Sequence, residues 1–536
     1  MPSAATEDGA DRPLLADARG QDGTTYGTEE PVAAARSAAG GVPRDQGGSF
    51  ARNLGTLDAF AIIISIVIGS GIFTSPGSID TNVPSPGIAL AVWLVGGVLA
   101  WTGASTMAEL GTAIPGEGGV QPYLKYIYGD VFGHLAAWTW VVAVMPATLA
   151  ILSIVFVESI FSAAGVTDRA ASVLHKLLSV LITVVMNLAN SISTKASTRL
   201  NNFFVATKFV SIFAVVLAGV VVLTIQLADP DTKVGGGDWI RRNWFADRDT
   251  VAPDGSVTHW PDVSTWELLG HFSAALYGAL WAYSGWEKGI YVSAELSNPV
   301  KQLPLAINTA IPTIIACFLA TNAAYYILLP WDVVSTTDSV AVTAITRLLG
   351  RGFGIVAAVL ICLVVAGSLL GNSFVAGRMA VAAANADWLP KSFAALGHFG
   401  LWKQPEEEGG DEEGPQGSSD APLNAILLNT LLSALFIFLG DFRSLLTFNG
   451  LGEYTFFFLT VLGAVVLRFR EPGLHRPYKP LLVIPIIFTL VSGFVLVRGA
   501  VFAPVPAMVL VVVWAVGILF YVVRRKRAER LRQGND

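Results

Sequence analysis

Residues 59–73 read AFAIIISIVIGSGIF, and this stretch decides the fold. The apolar run up to Ile68 has the composition of a membrane-spanning helix, but two glycines flank Ser70 in the middle of that span. Glycine destabilises a helix, and each backbone group freed in hydrocarbon costs several kcal/mol unless protein, ligand or water satisfies it. The sequence therefore predicts a helix that unwinds here beside a cavity.

The composition indicates a membrane protein. Of the 536 residues, 53% are apolar and 14% are charged, whereas a soluble protein carries about 25% charged residues. Runs of roughly 20 apolar residues recur along the chain and predict an all-α polytopic membrane protein, because such a run crosses a bilayer as a helix. We expect twelve transmembrane helices, at about 57–81, 87–112, 132–161, 172–193, 200–226, 266–294, 305–329, 353–383, 422–440, 444–468, 480–499 and 505–523.

The segments outside the spans are polar. Residues 1–52 lack an apolar core and predict a disordered cytoplasmic N-terminal tail, without a cleavable signal peptide. A twelve-span domain over 53–524 follows, with an acidic, Gly-rich loop insertion at 404–420, and a basic cytoplasmic tail covers 525–536. Lys and Arg concentrate in the short loops on the side of the N-terminus, so both termini are predicted to be cytoplasmic.

The cysteines and the other metal-binding residue types exclude several classes of site. Cys317 and Cys362 are the only two cysteines, and both fall inside apolar runs. No disulfide framework and no metal-ligand spacing follow from them. We expect no metal, no cofactor and no nucleic acid partner. An enzyme is not expected either, since the chain shows no nucleophile–base pair, and residues 69–71 lack the spacing of a hydrolase nucleophile elbow.

A second interruption lies in the sixth span, which reads YGALWAYSGW over residues 277–286. Ser284 and Gly285 sit in mid-span, five spans after the first break, which is the spacing of an inverted repeat. Exposed amides at a half-helix N-terminus suit a carboxylate, and exposed carbonyls at a C-terminus suit an ammonium group. Together they would recognise the zwitterion common to all amino acids. The alternative is that these glycines only allow close helix packing.

Five strings carry a family resemblance: IGSGIF at 68–73, IPGEGGVQPYLKYIYG after span two, ATKFV in span five, WAYSGWE with AELSNPVKQLP around span six, and RPYKP before span eleven. The chain resembles the amino acid–polyamine–organocation superfamily, and within it the L-type amino acid transporters and fungal methionine permeases. The resemblance covers about Leu54 to Arg524. It implies the LeuT-type 5+5 inverted repeat followed by two further helices.

The resemblance also implies a substrate site. Residues 68–71 would contact the substrate carboxylate, and Trp281 would close over the substrate from outside. A packed aromatic of the span is the alternative for Trp281. The substrate-binding residues predicted in this way are Ile68, Gly69, Ser70, Gly71, Ile72, Trp281, Tyr283, Ser284 and Gly285.

Lys208 lies deep in the fifth span, where a charge is costly and needs a partner or a cavity. The alternative is snorkelling to an interface. Lys208 matches the family's span-five lysine, whose ammonium occupies the place that sodium fills in related transporters and ties span five to the unwound part of span one. The resemblance therefore argues against sodium coupling and leaves proton coupling or exchange open.

Several other polar residues in the spans are candidates for particular roles. Glu287 follows the second break and is a possible specificity or proton site, although it could equally satisfy a nearby hydroxyl or Lys208. Glu295 matches a family acid and is interpreted as structural. Span eight carries Ser368, Asn372 and Arg378, of which Asn372 could reach the core. Glu109 and Glu453 are interpreted as helix-end or gate residues.

The functional prediction is a secondary transporter of neutral, large apolar L-amino acids such as methionine or leucine, working by alternating access without sodium in the plasma membrane. A carrier of cationic amino acids or polyamines is the alternative, and a non-transporting amino acid sensor is a further one. The loop between spans three and four contains no cysteine, whereas heteromeric relatives carry one there. We therefore expect no disulfide-linked heavy chain.

Overall fold

A computed structural model describes residues 55–114, 119–166, 172–192, 194–287, 296–394 and 422–533. The predicted tail at 1–52, the insertion at 404–420 and Glu295 lie outside these residues. The described chain is almost entirely helical, as predicted. Its helices are α1 Thr56–Val67, α2 Gly71–Thr81, α3 Pro86–Ala113, α4 Val120–Tyr128, α5 Asp130–Thr139, α6 Met145–Ala164, α7 Val173–Ile192, α8 Thr194–Ala228, α9 Asp238–Arg241, α10 Thr265–Ala282, α11 Pro299–Leu328, α12 Trp331–Val334, α13 Val340–Leu349, α14 Arg351–Asn385, α15 Leu423–Leu439, α16 Phe442–Arg470, α17 Val483–Phe502 and α18 Pro504–Gln533.

Each of the twelve predicted spans corresponds to a helix or a pair of helices. In the part of the chain that the structure describes, nine spans are formed by a helix that is long and apolar enough to cross a membrane. The other three are the broken pair α1–α2, the helix α10 before the second break, and α15, which has 17 residues. Spans one to five thus end with α8 and spans six to ten end with α16. This order fits the predicted repeat, with α17 and α18 as the two additional helices.

Span three contains an irregularity that the sequence pattern did not reveal. A π-helical turn, Trp140–Val144, joins α5 to α6, and the Met145 N–H donates to the Trp140 carbonyl five residues earlier. Such turns are rare and occur often at functional sites. The predicted C-terminal tail also begins as helix, because α18 continues to Gln533.

The helix ends follow local sequence rules. Ser85 caps α3 by accepting from the Ile88 N–H, and Pro86 takes the first helical position, where its missing N–H costs nothing. Ser264 and Glu267 form a capping box at the start of α10. Asp441 caps α16.

The long loop between α8 and α10 folds onto the helical bundle. It contains α9, a two-stranded antiparallel hairpin of β1 Thr250–Val251 and β2 Val257–Thr258, and a 3₁₀ turn. Arg248 reaches from this loop to Asp80 at the end of α2 with an N–O distance of 2.5 Å, and both side chains are almost fully buried. The Tyr326 hydroxyl donates to the same carboxylate oxygen at 2.6 Å. The loop is therefore fixed over one end of the broken first span.

The scaffold around the breaks is built from apolar contacts and buried hydrogen bonds. Helix α14 packs mainly on α6, α8 and α13, α11 packs on α3 and α1, and α10 packs on α2. One face of α7 carries five buried polar residues, as is usual for helix association in membranes. They are His175, Ser179, Thr183, Asn187 and Asn190. Four of their side chains bond to neighbouring helices or to their own turn, and the His175 ring lies 3.3 Å from the Glu158 carboxylate.

Candidate functional site

The first span breaks where the glycines predict it. Helix α1 ends at Val67, residues 68–70 are not helical, and α2 begins at Gly71. A Cβ on Gly71 would lie 2.4 Å from the Cα of Ala282, so no larger residue fits without moving α10. Ser70 is the N-cap of α2, but its side chain makes no capping bond. The first amides of α2 therefore have no side-chain cap.

The second break follows α10 directly. Helix α10 ends at Ala282, and residues 283–285 form a turn that closes at Gly285 with φ of +104°. A left-handed φ favours glycine, and a Cβ there would also lie 2.8 Å from the Ile66 side chain. The Gly285 N–H donates to the Glu287 carboxylate at 3.0 Å. This break is thus stabilised by an acid from its own sequence.

The two breaks face one another. Gly71 lies against Ala282, and Gly285 lies against Ile66, so the end of α10 crosses the unwound part of the first span. Between them lies a cavity of about 50 Å³. Since a buried water needs about 10–15 Å³ of such space, the cavity has room for a few waters and is too small for an amino acid without rearrangement. Its lining is Ile66, Val67, Gly69, Ser70, Gly71, Trp140, Met145, Thr148, Leu152, Trp281, Ala282, Ser284, Glu287, Ser368, Asn372 and Glu453.

Five of the nine predicted substrate-binding residues line this cavity, namely Gly69, Ser70, Gly71, Trp281 and Ser284. Ile68, Ile72 and Gly285 belong to the breaks but do not line it. Tyr283 points elsewhere. Its ring is fully buried between Trp93 and Phe318, with centroid distances of 6.1 and 4.8 Å. In this conformation the Tyr283 side chain therefore packs between α3 and α11 rather than in the cavity.

Lys208 lies on α8 and is 6% exposed. Helix α8 packs against α11 and α14, and Lys208 is not among the residues that line the central cavity. Its burial disfavours snorkelling. The predicted tie between Lys208 and the unwound part of span one stays a prediction.

Glu287 and Glu453 are the two acids of the cavity. Glu287 is 4% exposed and Glu453 is 6% exposed, and they come from opposite sides, after α10 and from the middle of α16. The interpretation of Glu453 as a helix-end residue was wrong, because it lies eleven residues after the start of α16. Among the residues that the structure describes, the lining contains these two carboxylates and no Lys or Arg.

Glu109 does form the kind of pair that was predicted. The Glu109 side chain is 1% exposed. Its two carboxylate oxygens accept from the Arg468 guanidinium at N–O distances of 3.0 and 2.5 Å, and one of them lies 3.2 Å from the Arg476 Nε. Arg468 also donates to the Pro480 carbonyl at 2.8 Å. This cluster joins one end of α3 to one end of α16.

Span eight contributes the polar wall beside the first break. Ser368 and Asn372 line the cavity, and the Asn372 amide donates to the Ser368 carbonyl at 2.8 Å. The Ser368 hydroxyl would lie 3.6 Å from a Cβ on Gly69, so this wall faces the unwound backbone. The prediction that Asn372 could reach the core agrees with this position. Arg378 does not line the cavity and instead stacks on Phe374 at 3.8 Å.

Span three forms one wall of the cavity, but sequence reasoning did not assign which of its residues line the site. Trp140, Met145, Thr148 and Leu152 line the cavity from the π-helical turn and the start of α6. The signal available was weak, since all four occur in an unbroken apolar run whose rotation cannot be assigned from sequence. In the described part of the chain, no three His, Cys, Asp or Glu residues come together as a metal site.

Comparison with known proteins identifies the class of molecule that has this arrangement. The profile of a family described as amino acid permease matches residues 54–523, nearly the whole helical domain. The chain belongs to the amino acid permease family. The predicted resemblance to the amino acid–polyamine–organocation superfamily is thereby confirmed, and the permease is a polytopic membrane transporter of amino acids rather than an enzyme.

Individual relatives agree with this assignment. The permease is 30% identical to the b(0,+)-type amino acid transporter 1 of Homo sapiens over 474 residues, which is 88% of each chain. It is 28% identical to the Asc-type amino acid transporter 1 of Mus musculus, over 87% of this chain and 80% of that one. It is 30% identical to the cystine/glutamate transporter of Homo sapiens, over 83% and 79%.

Proposed function

We propose that this permease transports neutral, large apolar L-amino acids by alternating access without sodium. The observation that carries the proposal is the meeting of two broken helices at one small cavity. The N-terminus of α2 and the C-termini of α1 and α10 all reach this point. Their helix dipoles give one end of the cavity a positive character and the other a negative one.

The substrate zwitterion fits these helix ends. The uncapped first amides of α2 would donate to the carboxylate, as helix N-termini do in other anion sites. The carbonyls at the ends of α1 and α10 would accept from the ammonium group. Gly71 is central, because only a residue without a side chain lets the backbone of α2 approach α10 this closely. The predicted roles of Ile68 and Ile72 are backbone roles of the same kind.

The side-chain part of the site supports an apolar substrate. Trp140, Met145 and Leu152 form an apolar wall from span three, and Trp281 completes it at the end of α10. The cavity must expand to admit methionine or leucine. We propose that Trp281 moves away from the cavity during this expansion and covers the substrate afterwards.

A second candidate function is the transport of cationic amino acids. Glu287 and Glu453 favour it, since both acids line the cavity and the cationic side chain of such a substrate would pair with them.

Sodium independence rests on Lys208 and its match to the family lysine. A buried ammonium on α8 supplies the charge that a sodium ion would otherwise bring. We further propose that both termini are cytoplasmic, that the permease acts in the plasma membrane, and that it needs no disulfide-linked partner. Both of its cysteines lie within helices, in α11 and α14.

Uptake into proteoliposomes tests these proposals. The purified permease is expected to accumulate radiolabelled methionine or leucine equally well when sodium is replaced by choline. Sodium-dependent uptake would contradict the role of Lys208. Strong arginine uptake with no methionine uptake would replace the neutral candidate with the cationic one, and Glu287→Gln and Glu453→Gln should then weaken arginine uptake selectively.

The substitution Gly71→Val tests the site itself. A Cβ at this position would lie 2.4 Å from the Cα of Ala282, so a valine side chain does not fit beside α10. Uptake should therefore fall to background, while the protein still inserts and purifies as a monodisperse species. Gly352→Val is the matched control, because no atom lies within 4 Å of a Cβ at that helical glycine. Normal uptake by the Gly71 variant would remove the carboxylate assignment.

A further inference from the structure

A second and larger cavity lies on the perimeter of the helical domain. It has a volume of about 640 Å³ and is lined by residues of α6, α7, α8 and α14. On α14 its lining residues recur every three or four positions, so one face of that helix forms its wall. They are Arg351, Ile355, Ala358, Val359, Cys362, Leu363 and Ala366.

This groove is apolar except at one end. Its floor is a small buried cluster of Phe204, Ala366 and Leu370. The groove stops where α8 approaches α14, since a Cβ on Gly367 would lie 2.4 Å from the Phe204 Cβ. From Arg351 to Ala366 the groove follows fifteen residues of α14, or about 22 Å of helix rise. Half of the hydrocarbon core of a bilayer is about 15 Å thick. The groove is therefore long enough to take an acyl chain that enters from one leaflet.

The polar end of the groove carries a positive charge. Arg351 is the first residue of α14 and is exposed, at the point where this span begins. Its guanidinium donates to the Ala164 carbonyl at the end of α6 with a distance of 3.2 Å. That bond uses one of five N–H donors. The N-terminus of α14 adds the positive end of its helix dipole, and no carboxylate lines the groove among the described residues.

We propose that this groove binds an acidic phospholipid, with one acyl chain along α14 and the phosphate against Arg351. A net negative headgroup complements the guanidinium, which forms bidentate bonds to phosphate. A sterol would fill the apolar part but has only a hydroxyl to offer Arg351. The proposal does not depend on which amino acid the central cavity transports.

Photo-crosslinking in proteoliposomes tests the proposal. The full chain is reconstituted in phosphatidylcholine with a trace of phosphatidylglycerol or phosphatidylcholine that carries a diazirine in one acyl chain. Mass spectrometry then maps the labelled peptides. We expect the phosphatidylglycerol probe to label the groove faces of α6 and α14 roughly fivefold more than the phosphatidylcholine probe, because both carry the phosphate but only phosphatidylglycerol has a net negative headgroup to attract Arg351. Equal labelling by the two probes would overturn the proposal.

Matched variants separate the headgroup from the acyl chain. Arg351→Gln should abolish the preference for phosphatidylglycerol, and Arg351→Lys should retain part of it. Arg347→Gln, which removes an exposed arginine of α13 outside the groove lining, should change nothing. If Arg351→Gln and Arg347→Gln both lost the preference for phosphatidylglycerol, the preference would come from general surface charge, and this result would contradict the proposed site.

Val359→Trp should block the groove and reduce labelling by both probes. Val356→Trp is its control, since Val356 is 56% exposed on the same helix but does not line the groove, while Val359 is 54% exposed and does. Equal effects of the two substitutions would contradict the proposal. Stronger groove labelling by a photoactivatable sterol than by phosphatidylglycerol would identify a sterol as the occupant and overturn it as well.

Discussion

The two ends of α16 are held by ion pairs of different kinds. At one end Arg468 meets the Glu109 carboxylate at 3.0 and 2.5 Å, and both side chains are nearly inaccessible, at 6% and 1% exposure. At the other end Arg443 meets Asp338 at 2.8 Å and the Thr81 hydroxyl at 2.8 Å, with 24% and 18% of the two charged side chains exposed. Water can replace a partner at the second end but not at the first.

This difference bears on how the central cavity opens. Glu453 lies on α16 between the two ion pairs, so the same helix forms part of the cavity wall and carries both closures. Separating the Arg443 end exposes groups that are already partly hydrated and costs little. Separating the Arg468 end breaks the ionic hydrogen bonds of a buried cluster of three charges and leaves any charge that stays buried without its partner, which costs more. The structure is therefore expected to open more readily at the Arg443 end.

The largest effect is expected for Arg468→Gln. This change leaves the buried Glu109 carboxylate with fewer compensating charges, and breaking one partner of a buried pair costs about 3–5 kcal/mol in the free energy of unfolding. Chemical denaturation in detergent, followed by circular dichroism, measures it. Arg525→Gln is the control, since its pair with Glu529 is exposed on both sides and should cost no more than about 1 kcal/mol. Equal losses in the two variants would contradict the comparison.

A double variant sharpens the same point. Glu109→Gln combined with Arg468→Gln removes both charges, and the combined loss of unfolding free energy should be smaller than the sum of the single losses by about 1–3 kcal/mol. In each single variant one charge of this pair stays buried without its partner, whereas the double variant has removed both charges. Additive losses would show that Arg476 alone satisfies Glu109 at its distance of 3.2 Å.

Arg443→Gln should loosen the other end with a smaller loss of unfolding free energy, about 1 kcal/mol. Its main effect is expected in hydrogen exchange, because Arg443 joins α16 to α2 through Thr81 and to the segment before α13 through Asp338. Amides of α2 and α13 should exchange faster, while those at the end of α3 near Glu109 should not change. Faster exchange at both ends would mean that the two closures open together.

Tyr478→Phe is expected to have the smallest effect. The Tyr478 hydroxyl bonds to Ser105 at 2.7 Å and to Asn308 at 3.2 Å, beside the Arg468 end. Removing a neutral hydrogen-bonding group should cost about 0.5 kcal/mol in the free energy of unfolding, less than Arg443→Gln and measured in the same way. A loss as large as that of Arg468→Gln would assign the stability of this end to the hydroxyl network rather than to the buried charges.

The sequence predicts the parts of this architecture that depend on backbone chemistry. Gly69, Gly71 and Gly285 mark both helix breaks, because the cost of unwinding in hydrocarbon leaves few other reasons for glycines there. Apolar run length predicts the twelve spans in order, since the bilayer fixes how long a helix must be. These features are local, and neighbours in space change them little.

Features that depend on helix rotation are not predictable in this way. Glu453 was interpreted as a helix-end or gate residue, and the residues of span three that form the cavity wall, such as Met145 and Leu152, were not assigned, because an apolar run surrounded by lipid and protein has little amphipathic pattern. Tyr283 lies next to the break by sequence, yet its ring packs on Phe318 at a centroid distance of 4.8 Å. Tyr283 still continues the last turn of α10, with φ of −84° and its N–H bonded to the Ala279 carbonyl at 3.0 Å, so the rotation of α10 decides where its ring points.

The π-helical turn at Trp140–Val144 has a consequence for how this chain can vary in length. In a regular α-helix, residues five apart point about 140° away from each other. The wider turn, closed by the bond from the Met145 N–H to the Trp140 carbonyl, instead brings both side chains to the cavity. Deleting one residue from this turn would leave Trp140 and Met145 four positions apart, about 40° from each other in a regular α-helix, so both would still face the cavity. The wide turn therefore accommodates one more residue than a regular helix without changing which of these two side chains reach the cavity.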